Sequence, residues 1–165
     1  MNDNLFSSTQ SVLVPAQKQV AVLTLFKQLP IARQVSIGTQ RFETEFLSLT
    51  SPSVGETELK ISEASLRSCF GRVEPRCFHE IGQKIQSAPL FPSQFFWLLL
   101  QQRDGEEGVL NSFPHAPWNM CVMTGWTGEP LVIIGARTQE GWVISATPPD
   151  WLCNHTLVHE KIIHL

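Results

Sequence analysis

The sequence predicts a single α+β domain. It should hold an N-terminal helix, a mainly antiparallel sheet built from two strand groups (about 33–61 and 118–147), and helices from about 62–103 packed on that sheet. Three observations lead there. Apolar and polar residues alternate in both strand groups, which is the period of a half-buried strand. Between the groups the apolar spacing lengthens to that of a helix. Strands also cluster instead of alternating singly with helices, as a parallel sheet would require. The chain has 165 residues, a length that suits one domain and allows a substantial core without disulfides or metal.

Residues 1–12 are polar and unpatterned and read as a flexible N-terminus, leaving 13–165 as the domain. Pro15 suits a helix start, and Val20, Leu23, Phe26 and Leu29 recur at helical spacing up to Pro30. From Arg33 to Thr50, Val35 and Ile37 alternate with polar residues, and Phe42 and Phe46 do so around Thr44. This predicts two strands with a turn at Gly38. Leu59 and Ile61 mark a third strand. Ser62 is placed to cap a short helix carrying Leu66, Cys69 and Phe70, and Pro75 opens a longer one with Cys77, Phe78, Ile81 and Ile85 on one stripe. Ser93 is placed to cap a helix from Gln94 to Arg103, apolar on all sides and so the most buried.

A Gly-, Asn- and Pro-rich loop follows at 104–117. Trp118–Thr124 is a strand, and Pro130–Thr138 is the strongest one. Leu131, Val132, Ile133 and Ile134 are apolar in succession, which argues a central strand covered on both faces. Gln139-Glu140-Gly141 predicts a tight hairpin into Trp142–Thr147. For residues 154–165 both helix and strand stay open: Leu157, Val158, Ile162 and Leu165 suit a helix face, and Ile163 breaks that pattern.

Composition excludes more chemistry than it supports. Net charge is −3 and only 16% of residues are charged, against about 25% in an average domain. Arg67, Arg72 and Arg76 are interleaved with Glu63, Glu74 and Glu80, the pattern of a solvated helix surface, so no nucleic acid is expected. The longest apolar run, Phe95–Leu100, falls far short of the ~20 residues of a membrane span. The opening MNDNLFSSTQ has neither a basic start nor an apolar run, so the expected location is cytoplasmic, with Cys69, Cys77, Cys121 and Cys153 as free thiols. There is no G-x-S-x-G, no phosphate-binding glycine loop and no other cofactor motif. No cofactor is therefore expected.

The Cys- and His-rich tail, DWLCNHTLVHEKIIHL, raises the question of a metal. His159-Glu160 and His164 resemble a zinc-protease helix, but that chemistry needs H-E-x-x-H. One residue more turns the second imidazole ~140° away on a helix. Cys153, His155 and His159 would share a strand face, yet the two histidines would then stand ~13 Å apart. They remain weak metal candidates, and the plainer reading is a terminal element whose histidines face water. Cys77 and His79 point ~200° apart on a helix. Cys121, with His115 and Asn111, is the better candidate for thiol catalysis, set against a buried small hydrophobe. Acidic pairs Glu43/Glu45 and Glu56/Glu58 have strand spacing and read as the wet face of strands.

Tryptophan is the remaining signal. Trp118, Trp126, Trp142 and Trp151 border the C-terminal strands, and indole suits interfaces because it buries a large apolar area while keeping one donor. Exposed together they would form a binding platform; the plainer reading is a Trp-rich core. Trp126, flanked by Gly125 and Gly128, should be exposed. The order of elements resembles that of small acidic chaperones of bacterial secretion systems, by element order alone and with no shared motif.

The functional expectation is a non-catalytic cytoplasmic protein that binds another macromolecule, as an adaptor, chaperone or immunity-type partner. Its partner should be another protein, and a homodimer is compatible with the sequence. The alternative is a small thiol- or zinc-dependent enzyme using Cys121 with His115, or Cys153 with His155 and His159.

Overall fold

The computed structural model describes residues 6–30, 37–64, 89–102, 108–110, 118–149 and 161–165. Among them are eight strands and three helices: β1 (Phe6–Val14), β2 (Val20–Ala21), α1 (Val22–Gln28), α2 (Ile37–Phe46), β3 (Thr50–Ser51), β4 (Thr57–Ala64), α3 (Pro92–Gln101), β5 (Trp118–Thr124), β6 (Pro130–Thr138), β7 (Gly141–Thr147) and β8 (Lys161–His164). Six strands form one sheet in the order β1-β4-β8-β5-β6-β7. Every pairing is antiparallel except β5 with β8, which is parallel. The mainly antiparallel α+β architecture is as the sequence predicts.

The C-terminal strands form where alternation and turn chemistry put them. Pro130 opens β6, where a missing N–H is tolerated. Leu131, Val132, Ile133 and Ile134 are all buried, so β6 is covered on both faces. The β6–β7 hairpin closes through Gln139 and Glu140. Gly141 supplies a φ of 135°, and the Glu140 N–H donates to Thr138 Oγ1 over 3.2 Å.

Gly135 has a different task. It faces α3, where a Cβ would sit 3.0 Å from Phe95 Cζ and 3.4 Å from Leu99 Cδ2. The missing side chain is what lets α3 lie this close to the sheet.

α3 is buried along most of its length, as expected, but starts two residues early. Phe91 is its N-cap residue, and Gln94 Oε1 accepts the Phe91 N–H at 2.9 Å. Ser93 is therefore inside the helix and does not cap it; its own N–H donates to Ser51 Oγ of β3 at 3.1 Å.

Several expectations are corrected. Residues 37–46, read as parts of two strands, are helix α2. Phe42 and Phe46 are four apart, which places them on one side of either a strand or a helix. Gln40, Arg41, Glu43 and Glu45 are good helix formers, and the two stacked rings, 4.9 Å apart, turn the stripe inward. The N-terminal helix does not start at Pro15: residues 15–19 are irregular, with Gln17 bridging Val54, and α1 covers only Val22–Gln28. The segment read as a flexible start forms edge strand β1 from Phe6, paired along its length with β4. The tail ends in strand β8, not a helix. Ser62 lies within β4 and not at a helix start. With β1 leading and α2 in place of strands, the chaperone-like element order does not hold. The helices expected at 66–71 and 75–88, including Arg67, Arg72 and Arg76, lie outside the described residues.

β8 is the joint of the molecule. It pairs with β4 on one side and β5 on the other, so it links the N- and C-terminal strand groups into one sheet. Ile162 and Ile163 point to opposite faces and both are fully buried. One face of the sheet packs on α2 and α3, and α1 packs on α3. Phe42 lies within 6.0 Å of the Phe26 ring of α1 and of the Phe96 ring of α3. The other face is buried too, at Met120, Val122, Val132, Ile134 and Ile162.

Candidate functional site

The register places several exposed apolar side chains at one end of the sheet. Val14 of β1 pairs with Thr57 at the start of β4, so Leu13 lies at that end. β8 runs antiparallel to β4 and ends there in Leu165. β5 runs parallel to β8, so its last residue, Thr124, and the turn carrying Trp126 lie there as well. The Leu90 N–H donates to the Val122 carbonyl at 2.8 Å, which brings Phe91 to the same end. Trp126 is 63% exposed, Leu13 is 58% exposed, and Phe91 and Leu165 are exposed.

The Trp126 turn is held by its own backbone. The Gly125 N–H donates to the Glu129 carbonyl at 2.9 Å and the Gly128 N–H to the Gly125 carbonyl at 3.0 Å. Gly128 takes a φ of 84°, which favours glycine. The indole is thus presented on a short, ordered turn. α2 buttresses it: a Cβ at Gly125 would sit 3.2 Å from Glu45 Oε2.

The other tryptophans do not join Trp126. Trp142 is buried in the core and does not belong to a surface platform. Trp118 is half-buried at the opposite end of β5, about 20 Å away along a seven-residue strand. Trp151 lies outside the described residues. Of the described tryptophans, Trp126 is thus the exposed one, at the sheet end that also carries Leu13, Phe91 and Leu165. Leu13, Phe91 and Leu165 were missed because singly exposed apolar residues carry no periodic signal.

Cys121, the weak thiol candidate, sits in the core. It is fully buried on the helix-facing side of β5, and desolvation pushes its thiol far above the ordinary range. The thiolate is the nucleophile, and this site opposes its formation. Iodoacetamide at pH 8 followed by peptide mapping should leave Cys121 unmodified until denaturant is added; rapid labelling of the native chain would contradict its burial. Because the folded value is raised, the contribution of Cys121 to stability is full below the unfolded pKa, ~8.5, and falls as pH rises above it. His115, Asn111, Cys153, His155 and His159 lie outside the described residues. Among the described residues no three His, Cys, Asp or Glu side chains are grouped to hold a metal ion. Glu43 and Glu45 sit on helix α2, two apart and so pointing away from each other, not on the wet face of a strand.

One polar array escaped the sequence reading. His164 Nε2 lies 3.0 Å from Ser62 Oγ, and Ser62 Oγ lies 2.9 Å from Thr9 Oγ1. His164 Nδ1 is 3.1 Å from the Leu165 main-chain oxygen. The main-chain oxygen accepts from Nδ1–H, while Ser62 Oγ is hydrogen-bonded to both Nε2 and Thr9 Oγ1. The array crosses β8, β4 and β1. It sets a histidine beside a serine hydroxyl, but Ser62 is only 1% exposed and a substrate does not reach it. It satisfies the buried Ser62 hydroxyl from both sides.

No described helix is long and apolar enough to cross a membrane. No protein-family model, curated protein or solved structure matches the chain, so its function is argued from its own residues.

Proposed function

We propose that this chain is a cytoplasmic protein that performs no chemistry of its own and binds another polypeptide, in the manner of an adaptor, chaperone or immunity-type partner. The sheet end bearing Trp126, Leu13, Phe91 and Leu165 is the contact surface. The observation that supports this reading is the 63% exposure of Trp126 on an ordered turn. A large indole left in water contributes nothing to folding, whereas a partner that covers it gains the area and a donor. Tryptophan is also among the residues that dominate binding energy at interfaces. Exposed Leu13, Phe91 and Leu165 supply apolar surface at the same end.

The test is a photo-crosslinking amino acid introduced at position 126 in the native host, with position 140 as control. Glu140 is exposed on the β6–β7 turn at the opposite end of the sheet. A discrete adduct with one protein, formed from position 126 and not from 140, is the expected result. Identical adduct patterns from both positions would refute the surface. An adduct of twice the chain mass would identify the partner as a second copy.

A further inference from the structure

The sheet has two edges, β1 and β7, and the fold treats them differently. On β7 the Trp142 main-chain N–H donates away from β6, to the Pro30 carbonyl at 2.7 Å, and α2 packs on the strand. The outer side of β1 has no such cover. Among the described residues its main-chain partner is β4 alone, along the ladder from Phe6 to Val14. In an antiparallel ladder alternate residues turn N–H and C=O away from the neighbour, so a row of donors and acceptors on β1 faces outward. Ser8, Thr9, Gln10 and Ser11 are all exposed. Successive side chains point to opposite faces, so neither face is covered along that stretch. The hydroxyls that bond do so inward: Ser8 Oγ donates to Glu63, and Thr9 Oγ1 meets Ser62 Oγ, both on β4.

We propose that this edge pairs with the β1 edge of a second copy, antiparallel across a two-fold axis, giving one sheet continuous through two chains. The argument is the strand itself, FSSTQSVLV. Open edges are normally guarded by lysine, other charges or proline, and β1 has none of these. Its one irregularity lies between Phe6 and Ser8, which leaves Ser8–Val14 regular. Two-fold pairing opposes a strand to itself, so any charge on it would face its own kind. A strand free of charge meets its copy without that repulsion. Selecting a foreign segment would need side-chain pockets or complementary charge, and these small polar residues offer neither. An axis normal to the sheet keeps residues of one face opposite each other. Full overlap of Ser8–Val14 puts Ser11 on the axis, Gln10 opposite Val12, and Thr9 opposite Leu13. Leu13, 58% exposed, then gains the Thr9 methyl group of the second copy as cover. The Trp126 surface is separate: β4 and β8 lie between β1 and β5, so a copy on β1 takes only Leu13 from it.

Sedimentation equilibrium of the full chain tests the proposal. The apparent mass should rise with concentration from that of one chain to that of two. Ser11→Glu is the informative variant. Within one chain the new carboxylate faces Lys60, its cross-strand neighbour, which favours folding. Across the axis it faces its own copy, and dimerisation should weaken about fivefold, as like charges set directly opposite imply. Gln28→Glu adds the same charge at an exposed position of α1 and should leave the dimer unchanged. Under mild oxidation Ser11→Cys should form a covalent dimer beyond the wild-type level, because opposed Cβ atoms stand about 4.5–5.5 Å apart. Leu13→Cys, opposite Thr9 and not itself, should not. A chain that stays monomeric at every concentration overturns the proposal, including one whose β1 edge accepts another protein's strand. So does a dimer that Ser11→Glu leaves as intact as Gln28→Glu, or one that Leu13→Cys crosslinks as readily as Ser11→Cys. Should Ser11→Glu fail to fold, the wild-type mass and the two cysteine variants still decide the matter.

Discussion

Phe42→Ala should destabilise the fold by about 3–5 kcal/mol, the cost of emptying a fully buried aromatic site. Phe42 touches more of the helical layer than its place in the sequence implies. Its ring stacks on Phe46 and meets Phe26 of α1 and Phe96 of α3. Removing it takes surface from all three helices at once, so local collapse cannot refill the space without moving one of them. Against a total stability of roughly 5–15 kcal/mol, this change alone approaches the unfolding limit. Urea unfolding followed by far-UV circular dichroism would measure it. A loss under 1 kcal/mol would mean that α2 does not pack as described.

Gly135→Val tests the close approach of α3 to the sheet. The first added carbon already stands 3.0 Å from Phe95 Cζ, and valine adds two methyl groups beyond it. Overpacking of this kind costs about 1–3 kcal/mol. β-propensity works in the opposite direction, since valine is a better strand residue than glycine. The sign of the change therefore decides between local preference and packing. Destabilisation in chemical denaturation places α3 against Gly135; stabilisation would mean that the helix lies farther away. The change sits beside α3 and not near Trp126, so crosslinking from position 126 should persist while the protein remains folded.

The two substitutions separate what a linear reading captures from what it does not. β6 was legible because four successive apolar residues fit only an element buried on both sides. α3 was legible because its apolar residues run all round. The hairpin was legible from Gly141 and its neighbours. Trp126 was legible as exposed because two glycines bracket it in a turn. These are local signals, and each is decided within about ten residues.

α2 was not legible. A spacing of four is a whole multiple of the strand period and close to one helical turn, so Phe42 and Phe46 fit both. Their ring contacts with Phe26 and Phe96 accompany the helix, and those partners are far away in the chain. β1 was hidden because Val12 and Val14 are its only apolar inward residues among the described side chains, and an edge strand takes its hydrogen bonds from β4. β8 was hidden because Ile162 and Ile163, adjacent and both apolar, spoil a helical stripe. In a strand flanked on both sides they are what is required.

By itself, then, the sequence determined the α+β class, the central hairpin, the most buried helix and the exposed indole, because side-chain period and turn chemistry act over short range. The tertiary structure alone decided that the tail joins the two halves of the sheet, that four apolar side chains share one end, and that Arg137 lines a cavity with Leu29 and Leu99. Those outcomes depend on which distant segments meet, and burial of a side chain is set by its neighbours in space.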